Sequence, residues 1–494
     1  MKNRWLLAKK YRLAAVLAGL AALAVFYPRR PDRDPLVLDD VSRLNQTRVS
    51  EVLSPRSVEE LQQAIERAKQ RGLKVSISGK KHSQGGHAFY HDAMHLDMTA
   101  FNKVLDFDKD QKTIHVQSGV TWKQIQEHVN PHGLAVAVMQ SSNIFTVGGS
   151  ISANAHGRDP NYGPIIETVR SFRLLNAEGQ LINVNRTENA ELFSLAIGGF
   201  GLFGVIVDAE LDLIENSVYK KKTVSLDYQE YPEYFEKLVQ GKPEVGIHFG
   251  RLSIDSESLL RDGYVVTYTE TDERPEDVSR LTEESHVSRD KFFFELSRKG
   301  DWGKEVRWRS QQKWVDVPGE TEVVARNNVM RPPIQFLDYD AEEDTDILQE
   351  YFVPVGNFVS FIDKLRQIAE EEEINLLSVT LRFVPASDEA VLSYANSDCF
   401  AVVLYINQQR SSDGIQEALH WTRQLVDAVQ ECGGTYYLVY QRYPSATQLR
   451  AVYPRFDEFV QRKRFYDEGE LFMNRFYDHY AGGVTRAPLP AASP

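Results

Sequence analysis

The stretch SGKKHSQGGHAF, residues 78–89, sets His82 and His87 among Gly79, Gly85 and Gly86, directly after the apolar run KVSIS. Three chemistries could use such a loop: a metal held by imidazoles, a catalytic histidine, or a cofactor lying against bare backbone. Protein zinc sites draw on cysteine and histidine at short, regular spacings. Here the histidines lie five apart, His91 and His95 follow without cysteine companions, and the two cysteines, Cys399 and Cys432, stand far away without metal-ligand spacing. No metal is expected. The glycines admit close approach of a ligand to the main chain.

A second stretch, FTVGGSISANAHG (145–157), repeats the device with Gly148 and Gly149 after Thr146-Val147 and with Gly157 after His156. Either bend alone reads equally well as a tight turn. Paired, they suit a protein that wraps a pyrophosphate with backbone amides rather than with lysines. A third stretch, GGFGLFG (198–204), matches G-x-G-x-x-G through Gly199, Gly201 and Gly204. That fingerprint needs a strand before it and a helix after it. The helical NAELFSLAI precedes and the strand-like VIVDAELDLI follows, so a Rossmann site is rejected.

The elements that must position these loops are legible. SVEELQQAIERAKQRG (57–72) places Val58, Leu61, Ile65 and Ala68 on one helical face and stops at Gly72. KVSIS is the strand that feeds the first loop. VLDFD and TIHVQSG read as strands about a Lys-Asp turn, and TWKQIQEHVNPHG (121–133) as a second helix. Further on, VVTYTE and FAVVLYIN are candidate strands; NFVSFIDKLRQIAEE and GIQEALHWTRQLVDAVQECGG are candidate helices. The class expected is α+β.

A chain of 494 residues exceeds one ordinary core, so two globular domains are expected. Hydrophobic and charged shares of 42% and 26% fit a folded soluble protein. A formal charge of −13 argues against a nucleic-acid partner. The cysteines are expected as free buried thiols, or as a pair if the domain is exported. At the N-terminus the basic MKNRWLLAKKYR precedes the apolar LAAVLAGLAALAVFY (13–27), and PRRPDRDP closes it without a small-residue cleavage site. A single-pass anchor with its N-terminus in the cytoplasm and the rest of the chain on the other side is expected, with a cleaved signal as the alternative.

Residues about 48–215 resemble the FAD-binding, PCMH-type domain of the vanillyl-alcohol oxidase class. The carriers, in order, are VLSPRSVEELQQAI, SGKKHSQGGHAF, HLDMTAFNKV, TVGGSISANAHG and GGFGLFGVI. The nearest branch holds the aldonolactone and alditol oxidases and decaprenylphosphoryl ribose oxidase, while HSQGGHAF looks most like the corresponding loop of cytokinin dehydrogenases. The resemblance implies a two-subdomain FAD fold over 48–215, after an anchor or signal (1–35) and a linker (36–47). It also implies an α+β substrate or cap domain over 216–452, a segment (453–480) returning to the flavin through an Asp…Phe-x-Asn pattern, and a disordered tail (481–494).

FAD is the implied cofactor. Gly79-Lys80-Lys81-His82-Ser83 matches the Gly-x-x-His-Ser pattern whose histidine joins the flavin 8α-methyl, so His82 is the implied covalent anchor, with noncovalent FAD as the alternative. The implied cofactor-binding set is Ile77, Ser78, Gly79, Lys80, Lys81, His82, Ser83, Gln84, Gly85, Gly86, His87, Ser141, Thr146, Val147, Gly148, Gly149, Ala153, Asn154, His156 and Ile206. In the sugar-oxidase branch, Glu-x-Arg and His-Trp-x-Lys motifs orient the donor. The matching registers here are VTLRF, with Thr380 in place of Glu and Arg382 kept, and Tyr437-Leu438-Val439-Tyr440. Arg382 suits a reduced flavin or an anionic substrate, and only one of Tyr437 and Tyr440 is expected to face the flavin. His156 matches a histidine beside the flavin in the ribose oxidase. Ser141 stands where cytokinin dehydrogenases carry an Asp. The activity implied is hydride removal from a CH–OH donor: a polyol, sugar, aldonolactone or lipid-linked sugar. Oxygen, a quinone or a cytochrome would be the electron acceptor. Alternatives are amine oxidation of the cytokinin-dehydrogenase kind, or an FAD-binding module without efficient catalysis.

Overall fold

The computed structural model describes residues 34–283, 287–313, 315, 322–332 and 339–484. The expected anchor falls almost wholly outside the described residues, as do residues 485–494 of the expected disordered tail; among the described residues no helix is long and apolar enough to cross a membrane. The chain divides into residues 1–37 and 38–494. Of the first unit only the last four residues are described, as a turn in which the Val37 N–H donates to the Asp34 carbonyl.

The second unit mixes helices with three sheets. A small parallel sheet orders β1 (Glu51–Leu53), β3 (Met94–Asp97) and β2 (Val75–Ser78), with β3 in the middle. The parallel crossover from β1 to β2 is α1 (Val58–Gln70), whose first turn is capped by Ser57 Oγ accepting from the Glu60 N–H. Leu61, Ala64, Ile65 and Ala68 of α1 are buried in the core beneath this sheet.

A six-stranded antiparallel sheet follows. Its strands are β4 (Val104–Asp108), β5 (Thr113–Gln117), β6 (Leu134–Val136), β7 (Val169–Leu175), β8 (Leu181–Asn185) and β9 (Val205–Glu215). The order is β8-β7-β9-β5-β4, with β6 beside the far end of β9. Helices α2 (Trp122–Val129) and α3 (Val147–Ser152) lie between β5 and β7 in sequence, and α4 (Ala190–Ala196) precedes β9. The helix-then-strand order around Gly199–Gly204 is therefore the one that rejects a Rossmann site.

The third sheet has eight antiparallel strands in the order β13-β10-β12-β11-β15-β16-β14-β17. They are β10 (Val218–Asp227), β11 (Val245–Leu252), β12 (Asp262–Glu270), β13 (Val323–Ala325), β14 (Asp344–Pro354), β15 (Leu376–Val384), β16 (Cys399–Gln409) and β17 (Thr435–Tyr436). Helices α5 (Phe358–Glu371) and α6 (Ser412–Glu431) cover one face, burying residues such as Phe361, Leu365, Leu425 and Val429. One continuous apolar cluster joins the six- and eight-stranded sheets. Cys399 and Cys432 are buried free thiols.

After α7 (Phe456–Tyr466) the chain returns to the first sheet. The Val75 N–H donates to the Leu471 carbonyl and the Met473 N–H to the Val75 carbonyl, so Phe472 pairs in parallel beside β2. Asp467 organises this return by accepting from the Leu471 and Phe472 amides, each at 2.8 Å, while bound to the buried Lys463 ammonium. Helix α8 (Arg475–Tyr480) then starts under an Asn474 cap.

Candidate functional site

An open-mouthed cleft of about 1150 Å³ lies where four loops meet. The loop after β2 supplies Gly79 to Ser83 and His87; the turn into α3 supplies Thr146, Gly148 and Gly149. The turn before β9 supplies Phe200, Gly201 and Gly204, and the stretch after β17 supplies Tyr437, Val439 and Tyr440. Ile77, Ser78, Ala153 and Ile206 also line it, as does Leu348 of β14.

Glycine is required where the first two loops interlock. A Cβ on Gly79 would stand 2.0 Å from Thr146 Oγ1, and one on Gly148 would stand 2.6 Å from Ser118 Cβ. The main-chain N–H groups of Lys80, Lys81, His82 and Ser83 have no partner among the described residues. Such a run of free amides makes a concavity that holds anions. The second bend behaves otherwise. The Val147 N–H donates to the Val120 carbonyl and the Gly148 N–H to the Ser118 carbonyl, both at 2.8 Å. Those two amides stitch the turn to α2's approach and are not free for a pyrophosphate; Ser118 Oγ, buried on the cleft wall, is without a hydrogen-bond partner among the described residues.

His82 meets Phe145 edge-on, ring centroids 4.9 Å apart. Burial, and after it the Lys80 charge, lowers its pKa to about 4, so its imidazole is neutral. His87 packs against Phe200 and Phe476, centroids 4.9 Å from each. Burial, then the Arg442 charge, brings it to about 3.

Seven residues of the expected cofactor set do not reach the cleft wall, each for a visible reason. Gln84 ties loops together, its N–H donating to the Val439 carbonyl and its Oε1 accepting from Leu348 N. Gly85 is pressed against the Tyr440 carbonyl, and Gly86, with φ +70°, lies against Arg475. Val147 is core. Asn154 adopts φ 46°, and its carbonyl accepts from the Tyr394 hydroxyl. Ser141 is half-buried, its hydroxyl oxygen covered and without a hydrogen-bond partner among the described residues. His156 is the most informative: its Nε2 lies 2.8 Å from Glu350 Oε1, both side chains being 2% exposed.

Glu350 is the residue sequence reasoning missed. Burial pushes its carboxyl up; His156, the Arg382 charge and the Tyr440 hydroxyl more than offset this, leaving it below the usual glutamate range. Strand register explains its place. Thr380 of β15 and Glu350 of β14 both oppose Val403 of the intervening β16, and cross-strand partners share a face. The carboxylate absent at position 380 is thus supplied two strands away, on the same face and in the same row. Only sheet order reveals it.

Both tyrosines line the cleft, against the expectation that one would. The chain leaves strand geometry after Tyr436, which frees both rings to turn the same way. The Tyr437 hydroxyl donates to the Ala153 carbonyl at 2.8 Å, and that of Tyr440 to Glu350 Oε2 at 3.4 Å. Burial, and then the Glu350 charge, raises both phenols well above their usual pKa. Arg382 stands behind this wall, near enough for its charge to act on Glu350, Tyr437 and Tyr440. A cleft with free amides at one wall and rings from Phe145, Phe200, Tyr437 and Tyr440 along it fits a flavin dinucleotide.

Residues 49–185 match the FAD binding domain family. L-gulonolactone oxidase of Mus musculus is 29% identical over 160 residues, 32% of this chain and 36% of that protein. Decaprenylphosphoryl-beta-D-ribose oxidase of Mycolicibacterium smegmatis is 32% identical over 168 residues, 33% of this chain and 36% of that protein. The mitochondrial L-galactono-1,4-lactone dehydrogenase of Arabidopsis thaliana is 26% identical over 191 residues, 39% of this chain and 31% of that protein. The matched region spans about a third of the length of these relatives.

Proposed function

We propose, from the premise that residues 49–185 are an FAD binding domain, that the whole chain is an FAD-dependent oxidoreductase acting on the CH–OH group of a sugar, polyol, aldonolactone or lipid-linked sugar. The observation that carries this is the Tyr440–Glu350–His156 series behind the cleft wall. The three relatives are, by name, oxidases or dehydrogenases of sugar lactones or of a lipid-linked ribose, which supports the same class of donor.

FAD, when bound, supplies the hydride acceptor. The chain's own residues handle the proton. Tyr440 donates to Glu350 and so leaves phenol-oxygen lone pairs free to accept from a donor hydroxyl in the cleft. As that hydroxyl gives up its proton to Tyr440, the phenol proton passes to Glu350 Oε2. His156 Nε2–H donates to Oε1 and fixes the carboxylate's orientation. Tyr440, with its raised pKa, relays the proton and Glu350 stores it.

His82 is the proposed covalent anchor: it lines the cleft and is neutral, so its ring nitrogen carries a free lone pair. The basic N-terminus and the apolar run 13–27 are proposed to hold the protein at a membrane, and oxygen, a quinone or a cytochrome to take the electrons. Polyols, aldoses and aldonolactones are added to the purified yellow protein under argon. One class should bleach the flavin absorbance, and admitting each acceptor in turn should restore it. No bleaching by any donor, with dithionite still reducing the flavin, would overturn the oxidoreductase reading. After acid precipitation the colour should stay in the pellet for wild type and leave it for His82→Ala. Deleting residues 1–35 should release a soluble yellow protein from membrane fractions.

A further inference from the structure

Strand β14 is paired with β16 along its whole length, from Asp344 to Pro354. On its other side β17 covers only Tyr351 and Phe352, and the Tyr437 N–H reaches the Glu350 carbonyl at 2.9 Å. Two residues earlier, at Leu348, no strand of the described residues stands on that side. A side chain takes its place: the Leu348 N–H donates to Gln84 Oε1 at 2.8 Å. The open stretch of edge is thus closed by the loop that carries His82.

The main chain of Gln84 is engaged in the same region. Its N–H donates to the carbonyl of Val439, which stands between Tyr437 and Tyr440 in sequence, at 2.8 Å. Its carbonyl accepts from Asn45 Nδ2 at 2.9 Å, and the same Asn45 nitrogen lies 3.2 Å from Gln441 Oε1. The next residue, Gly85, lies so close to the Tyr440 carbonyl oxygen that a Cβ has no room there. Gln84 is 3% exposed and Asn45 1%, so these bonds are made away from solvent. One residue therefore joins three segments: the loop with His82, the strand with Glu350 and the stretch with Tyr437 and Tyr440.

We propose that Gln84 is a positioning residue: its side chain holds the Glu350 strand, and its N–H the Tyr440 stretch, at the spacing from the His82 loop that the proton relay needs. This rests on the oxidoreductase reading of the cleft. Gln84 itself stands off the cleft wall and acts through Leu348 and Val439. The relay has little tolerance. Its Tyr440 hydroxyl and Glu350 Oε2 are 3.4 Å apart, at the long end of a hydrogen bond, so a shift of either segment opens it. A misplacement of about 1 Å can cost about 10²-fold in rate even when no reacting group is removed.

The test is stopped-flow bleaching of the flavin-loaded protein by the same polyols, aldoses and aldonolactones, with every rate taken per bound flavin. Gln84→Met removes the acceptor oxygen and keeps the side chain's length and all main-chain bonds. It should slow bleaching about 10- to 100-fold at saturating donor, with the half-saturating donor concentration nearly unchanged. Its rate should also climb from pH 6 to 8, as solvent base replaces the relay, while wild type stays flat. Gln84→Glu, which keeps the acceptor oxygen, should stay close to wild type. Adding Gln84→Met to Glu350→Gln should slow bleaching little further, because both act on one relay. Losses that multiply, a loss that does not depend on pH, or a loss confined to flavin content or melting temperature would overturn the positioning role. If Gln84→Met retains too little flavin for a rate, Gln84→Asn, whose oxygen is withdrawn by one methylene, reads the same bond. Bleaching of wild type by no donor removes the oxidoreductase reading and this role with it; equal bleaching of wild type and Gln84→Met removes the role alone.

Discussion

Glu350 is buried, ionised and hydrogen-bonded to two partners of different character, His156 and Tyr440. As the store for the substrate proton it should contribute the ~10²–10⁴-fold typical of general bases. Glu350→Gln should therefore slow flavin bleaching by about that factor while FAD content is unchanged. Its lowered pKa sets the pH dependence: the carboxylate is in its basic form at every pH above the usual glutamate value of 4.5. The reductive half-reaction should accordingly show no Glu350-dependent acid limb above that pH, and stopped-flow rates from pH 5 to 8 check this. A bleaching rate equal to wild type in Glu350→Gln would leave Glu350 a structural anchor for His156. At this scale legibility was uneven. His82 could be read because the loop's glycines and histidine are adjacent in sequence. Glu350 could not, because nothing local distinguishes it from the other glutamates around Asp344; a strand register across Val403 puts it to use.

The returning C-terminal segment shows what one buried pair does for an element. Lys463 and Asp467 are 0% and 1% exposed, one helical turn apart at the end of α7, and Asp467 also binds the two amides that start the strand beside β2. Removing one partner of a buried pair costs about 3–5 kcal/mol, because the other is left charged and unpaired. Lys463→Met should lower the urea unfolding free energy by about that amount. Replacing Asp467 as well should give no recovery, since the Leu471 and Phe472 amides would then lose their acceptor. A loss under about 1 kcal/mol in the single variant would show that the segment does not depend on the pair. Sequence did reveal α1, α2, α5 and α6, whose apolar spacing is local and strong. It showed that residues 214 onward mix strands and helices but not that eight strands pair as one sheet, because pairing order follows from packing between distant segments.

For the molecule as a whole, three buried histidines set the acid limit. His87, His95 and His248 each lie near pKa 3, burial being the first cause. The folded state keeps them neutral, while the unfolded chain protonates them near the ordinary 6.5, so the unfolded state binds more protons below that value. Their contribution is complete above pH 6.5 and is lost as pH falls toward 3. Urea unfolding should therefore weaken steadily from pH 6.5 to 4, and His95→Asn, which keeps polar atoms facing Ser76 and Ser78, should flatten the slope. An unchanged slope would sink the assignment for that residue. The pairing of Phe472 beside β2, with the Arg475 N–H reaching the Gly86 and Phe89 carbonyls, has a consequence for biogenesis. Residues 75–89, which carry the proposed flavin anchor, are translated about 380 residues before the backbone that brackets them. At about 5–20 residues per second the loop waits tens of seconds for its partner. The cleft-lining loop therefore stays without this bracket until Phe472 and Arg475 have been made, and any nascent chain truncated before Phe472 lacks it.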